Sequence, residues 1–166
     1  LERIDVELNR SLELITVAEI TVRWALTNTK ATAGLLGIVL PDPVRFQIVY
    51  KVGYEAEDLP EPVDGFYPVD KGILSRVLRT RQAELVPDVT IDPNYTKSLR
   101  GGLSQITIPM LSGGVVNAVL ILETNREPRL RLADLPFLQR LADHASIAIP
   151  NAQLYDELTR ANAPKS

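Results

Sequence analysis

Few residues of this chain carry reactive chemistry. Its one histidine, His144, sits in "LADHASIAI", and there is no cysteine. Without cysteine there are no disulfides, thiolate metal sites, thiol nucleophiles or thioether-linked cofactors. A lone histidine beside an apolar helical stripe is commonly a packed residue, and no serine–histidine–carboxylate set assembles around His144 from the sequence. It therefore receives no role as base, haem ligand or phosphoacceptor. What remains is recognition chemistry: Phe66 and Tyr67, then Asp92, Tyr95 and Arg100, aromatics with a few polar groups of the kind that surround a small ligand. Each also has a plainer reading, with Phe66 in the core, Asp92 capping a turn beside Pro93, and Arg100 in solvent. Residues 53–65 hold five acids and two prolines and read as a solvated loop rather than an ion site.

Three of these candidates lie in residues 87–103, "PDVTIDPNYTKSLRGGL", a stretch without periodicity. Loops of that length inside a domain usually bind something or move, so a cavity is expected under Tyr95 and Arg100. The elements around it follow from pattern. Two strands, Ala33–Leu40 and Arg45–Val52, flank Pro41-Asp42-Pro43, and residues 66–69 read as a further short strand. Asp70 can cap the helix Gly72–Thr80, and Glu84–Val86 is a brief strand. In "SQITIPMLSGGVVNAVLILETN" two strands flank Ser112-Gly113-Gly114, where glycine supplies positive φ at little steric cost. Ile106, Ile108 and Met110 alternate with Thr107 and Pro109, whereas the run from Val115 to Leu122 is apolar apart from Asn117 and belongs mid-sheet. The order of elements is that of an α+β domain with an antiparallel sheet.

The two ends read as long helices. Residues 1–29 lack proline and glycine, and Leu1, Ile4, Leu8, Ser11, Ile15, Ala18, Val22 and Ala25 are spaced three and four apart. That spacing makes a heptad-like seam. A second stripe, Leu12, Val17, Ile20, Trp24 and Leu26, lies elsewhere on the cylinder. The part from Ile15 to Leu26 is expected to pack on the chain's own sheet, and the part before it on a partner helix. From Arg131 onward, Leu138, Leu141, Ala145, Ala148, Ala152 and Tyr155 form another seam, with Pro150 expected to kink it. A parallel homodimer through both helices, with Leu1, Ile4, Leu8, Ile15, Leu141, Ala148 and Tyr155 in its interface, is the expectation.

With 166 residues, 45% of them hydrophobic, the chain suffices for one domain, taken as residues 1–166 with 1–14 and 150–166 as helical extensions toward neighbouring domains. A net charge of −3 without a basic cluster argues against nucleic-acid binding. No apolar run approaches the length of a membrane span, and the first residues do not form a signal peptide, so a cytoplasmic module is expected.

The segments "GLLGIVLPD", "GILSRVLRTRQAELVPDVTIDPNY", "ITIPMLSGGVVNAVLIL" and "LADHASIAIPNAQLYDEL" together resemble a GAF domain, in that family's order and over nearly the whole chain. The resemblance implies a PAS-related six-stranded antiparallel sheet, terminal helices on one face, and a small-molecule pocket under loops and short helices on the other. It also implies a non-catalytic sensory part of a larger signalling protein, with an output domain of kinase, cyclase or regulator type. The alternative is a ligand-free scaffold that dimerises and relays a signal. Departures from the family pattern are Ala118, after Asn117, in the penultimate strand, and Arg81 after the helix Gly72–Thr80, both where glycine is usual. Covalent bilin binding and methionine sulfoxide reduction, which in this family use cysteine, are disfavoured. So is cyclic-nucleotide binding, because its motif is matched only in part by Asn125, Arg126, Leu130, Asp134 and Leu135. There Arg126 and Asp134 are expected to pair.

Overall fold

A run without glycine or proline, Glu2–Thr27, forms helix α1 in the computed structural model, which describes residues 2–162 and the side chains of 12–159, 161 and 162. The helix stops where Asn28 and Thr29 engage its last carbonyls: Asn28 donates from its backbone N–H and from Nδ2 to Trp24 O at 3.1 and 2.9 Å, and Thr29 Oγ1 donates to Ala25 O. The chain then enters β1 (Ala33–Leu40) and β2 (Arg45–Val52), and after a long loop forms α2 (Gly72–Thr80) and β3 (Glu84–Val86). The hairpin β4 (Ser104–Ser112) and β5 (Val115–Thr124) follows, then α3 (Leu135–Ala161). Gly113 and Gly114, at φ 60° and 80°, close that hairpin.

The five strands lie in the order β2-β1-β5-β4-β3, every neighbouring pair antiparallel. The strongly apolar β1 and β5 take inner places, as their composition requires. The sixth strand expected from residues 66–69 is reduced to one bridge to the sheet: Tyr67 exchanges two backbone hydrogen bonds with Phe46 at 2.8 and 3.2 Å, while Phe66 bridges back to Val63. On one side of Tyr67 the tight turn at Asp64 and Gly65, both with positive φ, ends the pairing. On the other, β2 itself begins one residue before Phe46.

One sheet face carries Leu36, Ile38, Ile106, Ile108, Leu120 and Leu122, all buried against α1 and α3. Each such side chain stabilises the fold by roughly 1.5–3 kcal/mol. The helices lie side by side through small residues, Ala18 and Ala25 of α1 and Ala142 and Ala145 of α3. This pairing buries part of each expected seam within the chain. On α3 the buried line is Leu138, Ala142, Ala145, Ile149 and Ala152, while Leu141 and Ala148 are half-buried and Tyr155 is exposed. On α1 Leu14, Ala18, Val22 and Ala25 are buried and Ile15 half-buried, but Leu12, Ile20 and Trp24 face outward. A helix touching both a sheet and another helix buries a wedge whose centre spacing alone does not locate. Leu1 and the side chains of Ile4 and Leu8 lie outside the described residues. Pro150 lies within α3, which continues past it to Ala161.

Two local expectations change. Lys71, not Asp70, holds the position before α2, with no side-chain cap, because the chain turns at Gly72 (φ 81°) and leaves Asp70 exposed. Asp134 accepts from the backbone N–H of Arg131 at 2.8 Å, within the single 3-10 turn Leu132–Asp134, rather than pairing with Arg126. Arg81 does stand in the left-handed region (φ 59°), its N–H bonded to Val77 O at 2.8 Å and its guanidinium to Gly114 O at 3.0 Å. Among the described residues no helix is long and apolar enough to cross a membrane.

Candidate functional site

On the sheet face away from the terminal helices, period-two alternation brings forward Leu35 of β1, Phe46 and Ile48 of β2, Gln105 of β4, and Ile121 and Glu123 of β5. Gly37 makes room for this layer, since a Cβ there would overlap the Phe46 ring. Above the layer lies a cavity of about 560 Å³, walled by residues 57–60, Tyr67, the start of α2 and residues 95–98. That volume falls in the range of small-molecule sites.

The loop of residues 87–103 closes one side and is pinned by its own hydrogen bonds. Asp88 accepts from Thr90 N at 3.0 Å, opening the 3-10 turn Val89–Ile91. Leu103 N donates to Thr124 O at 2.7 Å, and Leu99 is buried. The Arg76 guanidinium of α2 ties the loop to β3, reaching Glu84 at 2.6 Å and Asp92 at 2.9 Å. Those bonds hold the Asp92 carboxyl below its ordinary range and raise the guanidinium's affinity for its proton.

Glu123 is the buried acid of the floor, 1% exposed. Tyr54 donates its hydroxyl to Oε2 and Ser98 donates its hydroxyl to Oε1, each at 2.6 Å. Burial pushes the carboxyl's pKa up, and the two hydroxyl donors work against that shift. The Tyr54 phenol is itself raised well above its usual value, by burial first and the neighbouring Glu123 second, and stays a neutral donor. Asp58, also buried, accepts from Glu55 N at 2.7 Å, and Arg100 stands outside it at 3.9 Å.

Of the residues singled out from sequence, Tyr67 and Tyr95 stand in the cavity wall. Phe66 lies aside under the Arg45 guanidinium, 4.6 Å from the ring centre. Asp92 is engaged by Arg76. Arg100 is largely exposed, with Glu57 at 3.4 Å. Tyr54, Asp58, Ser98, Gln105 and Glu123 were not anticipated. Glu123 was discoverable, because it is the acid that falls on the same alternating face as Val119 and Ile121 in an otherwise apolar strand. His144 is exposed on α3, the helix packed against the opposite sheet face, and meets none of these groups. Among the described residues no group of three or more histidines and acids could hold a metal ion. The arrangement combines a fixed acceptor at the floor, aromatic and aliphatic walls, and a loop for a side.

A family model described as "GAF domain" matches residues 11–149. Among solved structures, the GAF domain of a phosphoenolpyruvate-protein phosphotransferase from Acinetobacter is 17% identical, with 93% of each chain covered and a TM-score of 0.74. A GAF domain/HD domain protein from Geobacter sulfurreducens is 21% identical over 85% of this chain and 94% of its own, at a TM-score of 0.70. A type II free methionine-R-sulfoxide reductase from Thermoplasma acidophilum is 12% identical over 86% and 96%, also at 0.70. At such identities the likeness is one of fold. Comparison with curated protein sequences finds no significant match.

Proposed function

We propose, since this chain belongs to the GAF domain family, that it is a non-catalytic regulatory module of a multidomain signalling protein in the cytoplasm. It binds a small molecule in the cavity and relays occupancy through its terminal helices to an output domain of the same polypeptide. The observation carrying this reading is the placement of the cavity on one face of a single sheet and of helices α1 and α3 on the other, so that one layer lies between the cavity and both terminal helices. The lack of cysteine speaks against the thiol chemistry of family members that act as sulfoxide reductases, although their fold is shared. Native mass spectrometry of the purified chain tests it. A retained mass that disappears on denaturation is the expected result, and a protein free of any adduct that no compound library stabilises against heat would overturn it.

The same reading includes a parallel homodimer of the terminal helices. Its support is the apolar surface both helices leave open: Leu12, Ile20 and Trp24 (58% exposed) on α1, Ile147 (67%), Leu154, Tyr155 and Leu158 on α3. Patches of this kind on helices mark association surfaces. A second copy presents the same faces and satisfies them reciprocally. The proposed interface centres on these residues, with Tyr155 common to them and to the seam that spacing suggested.

A further inference from the structure

We propose that the cavity takes a small organic cation, a molecule with a protonated amine that docks on the Glu123 carboxylate and lays its apolar part against Phe46, Tyr67 and Ile121. The inference rests on the cavity being a ligand site and adds the chemistry of what enters it.

The first ground is a missing partner. Glu123 is buried at the floor, yet the side chains that bond it, Tyr54 and Ser98, are neutral hydroxyls, and no lysine, arginine or histidine stands within ion-pair distance among the described residues. Buried carboxylates are ordinarily matched by a cation, because desolvating an unmatched charge is costly. A carboxylate offers about four acceptor sites. Tyr54, Ser98 and the backbone N–H of Leu99 take up to three of them, so an ammonium can join without displacing any.

The second ground is the sign of the surroundings. Asp58 is another buried acid of the same wall, and the one cation in ion-pair reach of it among the described residues, Arg100, is 3.9 Å away and mostly in solvent. The lining lysines, Lys71 and Lys97, are exposed and stand at the mouth. An anion entering between them would meet two carboxylates below, whereas a cation meets attraction increasing with depth. The third ground is the wall. Phe46, Tyr67, Leu74 and Tyr95 offer apolar and aromatic surface, suited to an organic cation of several heavy atoms rather than to a bare metal ion.

Matched probes test this on the full chain by heteronuclear NMR: phenethylamine against phenethyl alcohol, butylamine against butanol, and hydrocinnamate as the anion. The amines are expected to shift the signals of Leu35 and Ile121 at millimolar concentration and to bind roughly tenfold tighter than their alcohols, with hydrocinnamate silent. Glu123→Gln is expected to bring each amine to within about threefold of its alcohol. Should that variant not fold, Asp58→Asn, expected to narrow the gap in part, and the amine-to-alcohol ratio of the parent chain still decide. Alcohols or hydrocinnamate shifting the same signals as strongly as the amines would overturn the cation while leaving the ligand site standing. Silence from every probe would overturn both.

Discussion

Burial of Glu123 beneath Tyr54 and Ser98 raises the proton affinity of its carboxyl, and this makes one residue's contribution to stability depend on pH. A folded-state value above the unfolded one stabilises the protein fully below the ordinary glutamate value of 4.5 and is lost as pH rises through the raised value. Glutamine keeps one acceptor oxygen for one of the two hydroxyls, donates an amide N–H to the oxygen of the other, and has no carboxyl proton to lose. Glu123→Gln is therefore expected to melt increasingly above the parent as pH climbs across the weakly acidic range, and circular-dichroism melts along a pH series check it. A constant difference between the two melting curves would show that the carboxyl does not ionise in that window. In the sequence this residue does not stand out as interior, because one acid near the end of an apolar strand resembles a solvated strand terminus. The segments carrying Tyr54 and Ser98, folded over it, turn that place into an interior.

The strands and the short helix were legible because their signals are local. Proline, glycine and alternation mark β1, β2, the β4–β5 hairpin and α2 within a few residues, whatever the rest of the chain does. Which side of α1 and α3 faces inward was legible only in part: the seams include the buried Ala18, Val22, Ala25, Leu138, Ala145 and Ala152, but Leu14 and Ile15, or Leu141 and Ala142, are apolar neighbours between which spacing does not choose. The choice falls to whichever lets two helices and a sheet meet. Arg81 illustrates a local signal that survived: the place after α2 calls for positive φ and receives it without glycine. Both variants lose the exposed bond to Gly114 O and only glycine relieves the backbone cost, so Arg81→Gly is expected to exceed Arg81→Ala in stability by about 1 kcal/mol. Urea midpoints of the two variants measure the difference, and equal midpoints would mean that the cap carries no backbone cost.

For the molecule as a whole, the open question is what covers Leu12, Ile20 and Trp24. Trp24 is largely exposed within one protomer, so Trp24→Glu is expected to change the stability of the isolated fold by no more than about 0.5 kcal/mol. The same change places two like charges at a two-fold interface and is expected to abolish self-association. Sedimentation on the order of 100 μM should show a dimer for the parent and a monomer for the variant. A monomeric parent would contradict the shared helical bundle.

The alternation of β5 has a mechanical consequence. Ile121 and Glu123 point toward the cavity, and Leu120 and Leu122, one peptide away on the same backbone, point into the helix layer. No hinge or lever of intervening elements separates the two sides. Any tilt that an arriving molecule forces on this strand reappears at once, reversed in direction, beneath α1 and α3. Stiffness of the central strands, rather than pliancy of the loops, would then set how faithfully arrival is transmitted.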